Sequence, residues 1–255
     1  MTIHCMRNRC LCARGYAPAM TAKSKTSTSE GAPGAVWFRP EKQSRTKPLL
    51  TQDKIVSAAV ELLDRDGVRQ LSMRKLADRL QAHATSLYWH VSTKDDVLDL
   101  ALDAVFGEVR LPVESGPSWR DDIIAFMAEL RRVLLDHPWA AALASTRPLA
   151  GPNALARSEF VYAALAAAGF GRADVLAAGA AVSNYVIGSV SAESVWRHQD
   201  EAGTRSALAE HLRAREADYP ALAGNFPADG GDWQAHFDRG AQYLVAGMAA
   251  TAGLE

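Results

Sequence analysis

Cysteine is nearly missing from this chain: Cys5, Cys10 and Cys12 all fall in the first dozen of its 255 residues, and the body has none. That excludes a disulfide framework and a thiolate nucleophile for everything that follows. With His4 the three cysteines could offer four ligands, but ligands crowded into so short a run pack poorly around a tetrahedral ion. No metal and no cofactor is therefore expected. Long apolar runs are missing too. Even the Ala-rich stretch 173–190 is broken by Asp174, Gly179, Ser183, Asn184 and Gly188, so no membrane partner is expected, and without a signal-like apolar segment at the front the chain is expected in the cytoplasm. His137, His198, His211 and His236 are scattered. No HExxH, GxSxG or phosphate-loop pattern accompanies them, which argues against an enzyme.

With 48% hydrophobic and 22% charged residues, the chain can bury one sizeable core and a small satellite domain. The net charge of −1 conceals an asymmetry. Residues 1–50 carry nine Lys/Arg against two Glu, whereas residues 93–255 carry thirteen against twenty-two acidic residues. A basic front with an acidic rear suits a protein that presents one end to a polyanion.

Residues 1–48 are rich in Ser, Thr, Gly, Pro and basic residues and read as a disordered basic extension. Within it, Trp37 and Phe38 can pack on a folded body, and Arg39, Lys42, Arg45 and Lys47 can follow phosphates or enter a minor groove. Order begins at Thr51, a helix cap followed by Ile55, Ala59, Leu62 and Leu63 on one face and ended by Gly67. Ser72 caps a second, short helix with Leu76, Ala77 and Leu80 inward. A tight turn leads to a third helix over Ala84 to Tyr88, and two short helices so joined form a helix-turn-helix.

Aromatics are only 7% of the chain, yet Tyr88, Trp89 and His90 are consecutive. At a helix end they need not share a face: the Tyr88 hydroxyl and the His90 imidazole can reach phosphate oxygens while Trp89 packs inward. Leu87 points to the core, and His83, Ala84, Thr85 and Ser86 can face DNA on short side chains. Thr93 caps a fourth helix whose first residue, Lys94, is unfavourable for the helix dipole unless an anion is present.

The runs "LTQDKIVSAAVELLDRDGVRQLSMRKLADRL" and "TSLYWHVSTKDDVLDLALD" resemble the N-terminal domain of the TetR family of transcriptional regulators over about residues 49–105, and "LYWHV" with its following Lys resembles the Tet-repressor-like subgroup. The resemblance implies an all-α homodimer that binds double-stranded operator DNA and is released by a small-molecule effector. It implies a base-reading role for Arg74, base contacts for Ala84 and Thr85, and phosphate contacts for Ser72, Ser86, Tyr88, His90 and Lys94. Gln81 stands where the family usually has Gly, so a positive-φ backbone there would be strained.

On this reading residues 49–95 are the DNA-binding domain and residues 96–255 a larger helical domain for effector binding and dimerisation. Helical spacing runs from Trp119 to Leu134, restarts at Pro138, resumes through Phe160 and Leu165 to Gly169, and continues in a long helix from Ala173 to Arg197. Residues 201–231 read as one short helix, limited by Pro220 and Pro227, plus a loop. The last helix carries Phe237, Ala241, Leu244 and Met248. Phe106, Phe126, Leu130, Trp139, Phe160 and Tyr185 are candidate apolar lining of a ligand pocket, with His137 and Asn184 as polar groups. The alternatives are a constitutive DNA binder without effector and a helical enzyme or ligand-binding protein.

Overall fold

The computed structural model describes residues 32–39, 50–112, 118–197, 200–227 and 230–254. Among them are eleven α-helices and no strand. Six of the helices begin where the sequence supplies a side-chain cap. Thr51 accepts a hydrogen bond from the Lys54 amide ahead of α1 (Gln52–Asp66), and Ser72 accepts from Lys75 ahead of α2 (Met73–Arg79). Thr93 and Asp96 form a reciprocal capping box at α4 (Lys94–Gly107), satisfying two amides that would otherwise lack partners.

Helices α1, α2 and the four-residue α3 (Ala84–Leu87) enclose a small core of Ile55, Ala59, Leu62, Leu63, Leu76 and Leu87, all buried. Gln81, in the turn between α2 and α3, has φ 50, the only positive φ at a non-glycine among the described residues. The strain anticipated from the sequence is present.

The second domain comprises α5 (Trp119–Asp136), α6 (Pro138–Ala144), α7 (Pro152–Ala167), α8 (Arg172–Arg197), α9 (Glu201–Ala214), α10 (Pro220–Asn225) and α11 (Trp233–Ala252). Helix α8 is its axis, packed on α5, α6, α7 and α11. By length and composition α8 could cross a bilayer, but it buries Val182, Val186, Ile187 and Val190 within the bundle. Helix α4 belongs to both halves: it packs on α1 and on α5, α6 and α7.

Two expectations need correction. Pro220 begins α10 instead of limiting a helix, because a first-turn proline loses no helical hydrogen bond. Residues 201–227 thus hold two helices. Arg205, paired with Glu201 at 2.8 Å, lies over the rings of Trp196 and Trp233 and fixes α9 to α8 and α11. Part of the extension is also ordered. Residues Ala35–Phe38 form a 3-10 turn against α4, with Ala35 buried and Phe38 exposed. Lys42, Arg45, Lys47 and the Cys5, Cys10, Cys12 and His4 group lie outside the described residues.

Candidate nucleic-acid interface and ligand cavity

Helix α3 separates its residues sharply. Leu87 is fully buried, which turns His83, Thr85 and Tyr88 to the surface and leaves Ala84, Ser86 and His90 half-buried. Ser72 and Arg74 are exposed at the start of α2, and Arg74 makes no ion pair among the described residues. Lys94 is half-buried and donates to the Val68 carbonyl at 3.2 Å, which holds its ammonium beside the domain surface. Trp89 departs from expectation: it is 75% exposed. Val91, two residues on, fills the core position in its place, because the turn after α3 carries Trp89 outward. The surface is thus small, polar and aromatic, with cations at its margins, a composition suited to base edges flanked by phosphates.

Helix α4 is held along its length by three of its carboxylates, Asp96, Asp99 and Asp103. Asp96 accepts from both Arg39 nitrogens at 2.6 and 2.8 Å and from the Ser92 and Thr93 amides. Burial pushes this carboxyl up, but those hydrogen bonds outweigh it and hold it below the usual carboxylate range. Asp99 accepts from the Gly34 amide at 2.6 Å and from Arg147 at 2.7 Å, while Arg147 also pairs with Asp95. Asp103 accepts from the Asn153 and Ala154 amides at the start of α7. Arg39, expected to follow phosphates, is instead committed to Asp96.

Between α4, α5, α7 and α8 lies a small cavity of about 80 Å³. Phe106, Phe126 and Leu130 line it, together with residues not anticipated from the sequence, among them Arg157, Tyr162, Ser183 and Ile187. Gly179 admits the Tyr162 ring, which a Cβ there would overlap. A signal for Arg157 existed: it interrupts the stripe Ala154, Val161, Leu165 that α7 buries. Phe160 is half-buried and packs on Phe126 with ring centroids 6.1 Å apart.

The other candidates lie elsewhere. Asn184 is exposed on the outer side of α8. The Tyr185 hydroxyl donates to the Phe237 carbonyl at 2.8 Å and fills the space left by Gly240, joining α8 to α11. Trp139 lines a separate groove between α1, α6 and α8, and its indole donates to Asp64 at 2.6 Å. His137 is buried at the domain junction, with Nδ1 2.8 Å from Asp64 and Nε2 3.2 Å from Glu108. Burial lowers its pKa, but the two carboxylates outweigh that and raise it above the ordinary imidazole value. Sequence spacing could not place the last three, because each is defined by a partner more than 25 residues away.

Residues 55–101 match the family described as "Bacterial regulatory proteins, tetR family", and residues 111–252 match "Tetracyclin repressor-like, C-terminal domain". The HTH-type transcriptional repressor DrrR1 of Streptomyces coeruleorubidus is 31% identical, over 84% of this chain and 83% of its own length. The tetracycline repressor protein class A from transposon 1721 of Escherichia coli is 30% identical, over 78% and 91%. Among solved structures, apo ActR from Streptomyces coelicolor superposes with a TM-score of 0.74 at 30% identity, covering 82% of this chain and 99% of that one. ActR in complex with actinorhodin gives 0.70 at 31% identity, covering 81% and 100%.

Proposed function

The chain belongs to the TetR family of transcriptional regulators, and from that premise we infer how its parts divide the work. It is a DNA-binding repressor, dimeric and released by a small-molecule effector. We assign DNA contact to Ser72, Arg74, His83, Ala84, Thr85, Ser86, Tyr88, His90 and Lys94, and effector contact to the cavity behind α4. The observation that carries this division is α4 itself: six residues separate it from α3, and its far end, at Phe106, lines the cavity. An apolar groove between α8 and α11, lined by Phe170, Ala181, Tyr243 and Met248, is the proposed seat of the second subunit. Two-fold symmetry then sets the recognition helices about 34–36 Å apart, or a multiple of it, on a pseudo-palindromic site. Repression of a promoter places this work in the cytoplasm.

The aromatic lining of the cavity, Phe106, Phe126 and Tyr162, favours an effector with aromatic rings, for which the small cavity must widen. ActR binds actinorhodin in a solved complex, and a compound of that general shape is the proposed class here. The test is a selection of genomic DNA fragments on the purified protein at controlled salt, repeated with Tyr88→Ala/Lys94→Ala. Enrichment of one palindromic site, lost in the double variant, supports the reading. Equal enrichment by both proteins rules out the assigned face.

A further inference from the structure

Arg157 occupies an unusual position. It lines the cavity from α7, yet its guanidinium is turned to the end of α4: Nη2 donates to the Gly107 carbonyl at 2.7 Å and to the Val109 carbonyl at 2.8 Å, and Nε donates to Val109 at 3.2 Å. Nη1 has only a 3.5 Å contact, to the Asn153 carbonyl. No carboxylate lies within ion-pair distance of Arg157 among the described residues, and the residues lining the cavity include no Asp or Glu. A half-buried cation is thus balanced by carbonyl dipoles at the negative end of a helix.

We propose that the effector is an acid, and that its oxyanion takes Arg157 away from the end of α4. This rests on reading the cavity as the effector site. A carboxylate accepts two parallel N–H bonds from a guanidinium, and it brings a full opposite charge that the neutral carbonyls now bonded to Arg157 lack. The lining supplies the rest of the recognition: Phe106, Phe126, Leu130 and Ile187 are apolar, and Ser158 and Ser183 bring hydroxyls. Nη1, least committed of the three nitrogens, is the first point of contact.

The consequence is mechanical. Helix α4 is latched by three arginines: Arg39 on Asp96, Arg147 on Asp95 and Asp99, and Arg157 on the Gly107 and Val109 carbonyls. Arg157 is the one of these three that lines the cavity. Its departure leaves the last carbonyls of α4 without their cap, so the helix end loosens or shifts, and the displacement reaches α3 through the helix itself. Discrimination for acids and release of DNA are thereby assigned to one side chain.

The full-length protein is titrated with 2-naphthoate and anthraquinone-2-carboxylate, each against its methyl ester, which keeps the rings and removes the charge. Binding is followed by calorimetry, and amide exchange is followed along residues 94–109. For at least one ring system the acid should bind about tenfold or more tightly than the ester, and should speed exchange in the last turn of α4. Arg157→Met should abolish the preference, with Arg157→Gln as a second variant should Met disturb packing. Arg157→Lys, which keeps the charge but not the fork, should retain part of the preference while exchanging faster at the end of α4 without any probe. Equal binding of acid and ester, a preference that survives loss of Arg157, unchanged exchange on binding, or no binding of either acid overturns the proposal. An ester that binds and releases the selected operator as well as its acid overturns the role of Arg157 and leaves the cavity as the effector site.

Discussion

Nδ1 of His137 lies 2.8 Å from Oδ1 of Asp64, and the contact ties the junction of α5 and α6 to the last turn of α1. The same Asp64 oxygen accepts from the Trp139 indole, and Glu108, just beyond α4, meets the opposite imidazole nitrogen. Arg132, itself paired with Glu129 and Asp136, bears on Glu108 from α5. DNA-binding domain, connecting helix and effector domain therefore meet at one titratable ring.

The pH dependence follows from the raised His137 pKa. A group bound more tightly when protonated contributes its full stabilisation below its unfolded pKa, about 6.5, and loses it as pH rises through the folded value. The melting temperature of the wild type should exceed that of His137→Gln by most near pH 6, and the gap should shrink toward pH 8.5. A gap that stays constant over that range would show that the imidazole acts by packing alone.

Gln81 holds a left-handed backbone that costs a residue with a Cβ roughly 1–2 kcal/mol. Glycine removes that cost but adds freedom to the unfolded chain. Gln81→Gly should stabilise the protein by about 0.5–1 kcal/mol in denaturant unfolding and leave operator affinity unchanged, since the exposed side chain lies in the turn and not on α3. A lowered denaturation midpoint would mean that the Gln81 side chain contributes more than the strain costs.

Arg131 and Glu193 form a buried ion pair at 2.6 Å between α5 and α8, with Arg131 also over the Phe237 ring. The Arg131 Nε has no partner among the described residues, and the second Glu193 oxygen faces the half-exposed Arg197 at 2.6 Å. Arg131→Ala leaves the buried Glu193 carboxylate with Arg197 as its one cation and should cost about 3 kcal/mol, whereas Arg131→Met/Glu193→Leu should cost far less. Equal losses in both variants, measured by chemical denaturation, would mean that packing and not charge is what the pair supplies.

Lys94 and Arg74 should fail in different ways. Lys94→Ala should weaken binding to all sequences and flatten the salt dependence by about one ion, while Arg74→Ala should cost roughly 1–3 kcal/mol and relax preference at one base pair. Titrations of the selected operator and its single-base variants at several salt concentrations decide both. An unchanged slope for the first, or unchanged base preference for the second, removes the assignment.

Much of this molecule was legible in one dimension. Caps at Thr51, Ser72 and Thr93, the stop at Gly67, the buried stripe of α1 and the outward residues of α3 are local features, fixed by backbone amides and by helical periodicity within a few residues. The sequence by itself therefore determined the helix-turn-helix, the all-α architecture and the family. Only the tertiary structure decided what the polar and aromatic residues do. His137 became a junction between domains, Arg39 a clasp on Asp96, Tyr185 a pin on α11, and Arg157 the cation at the end of α4. Periodicity tells which side of a helix is buried but not what it is buried against, and a charge or hydroxyl takes its role from that neighbour.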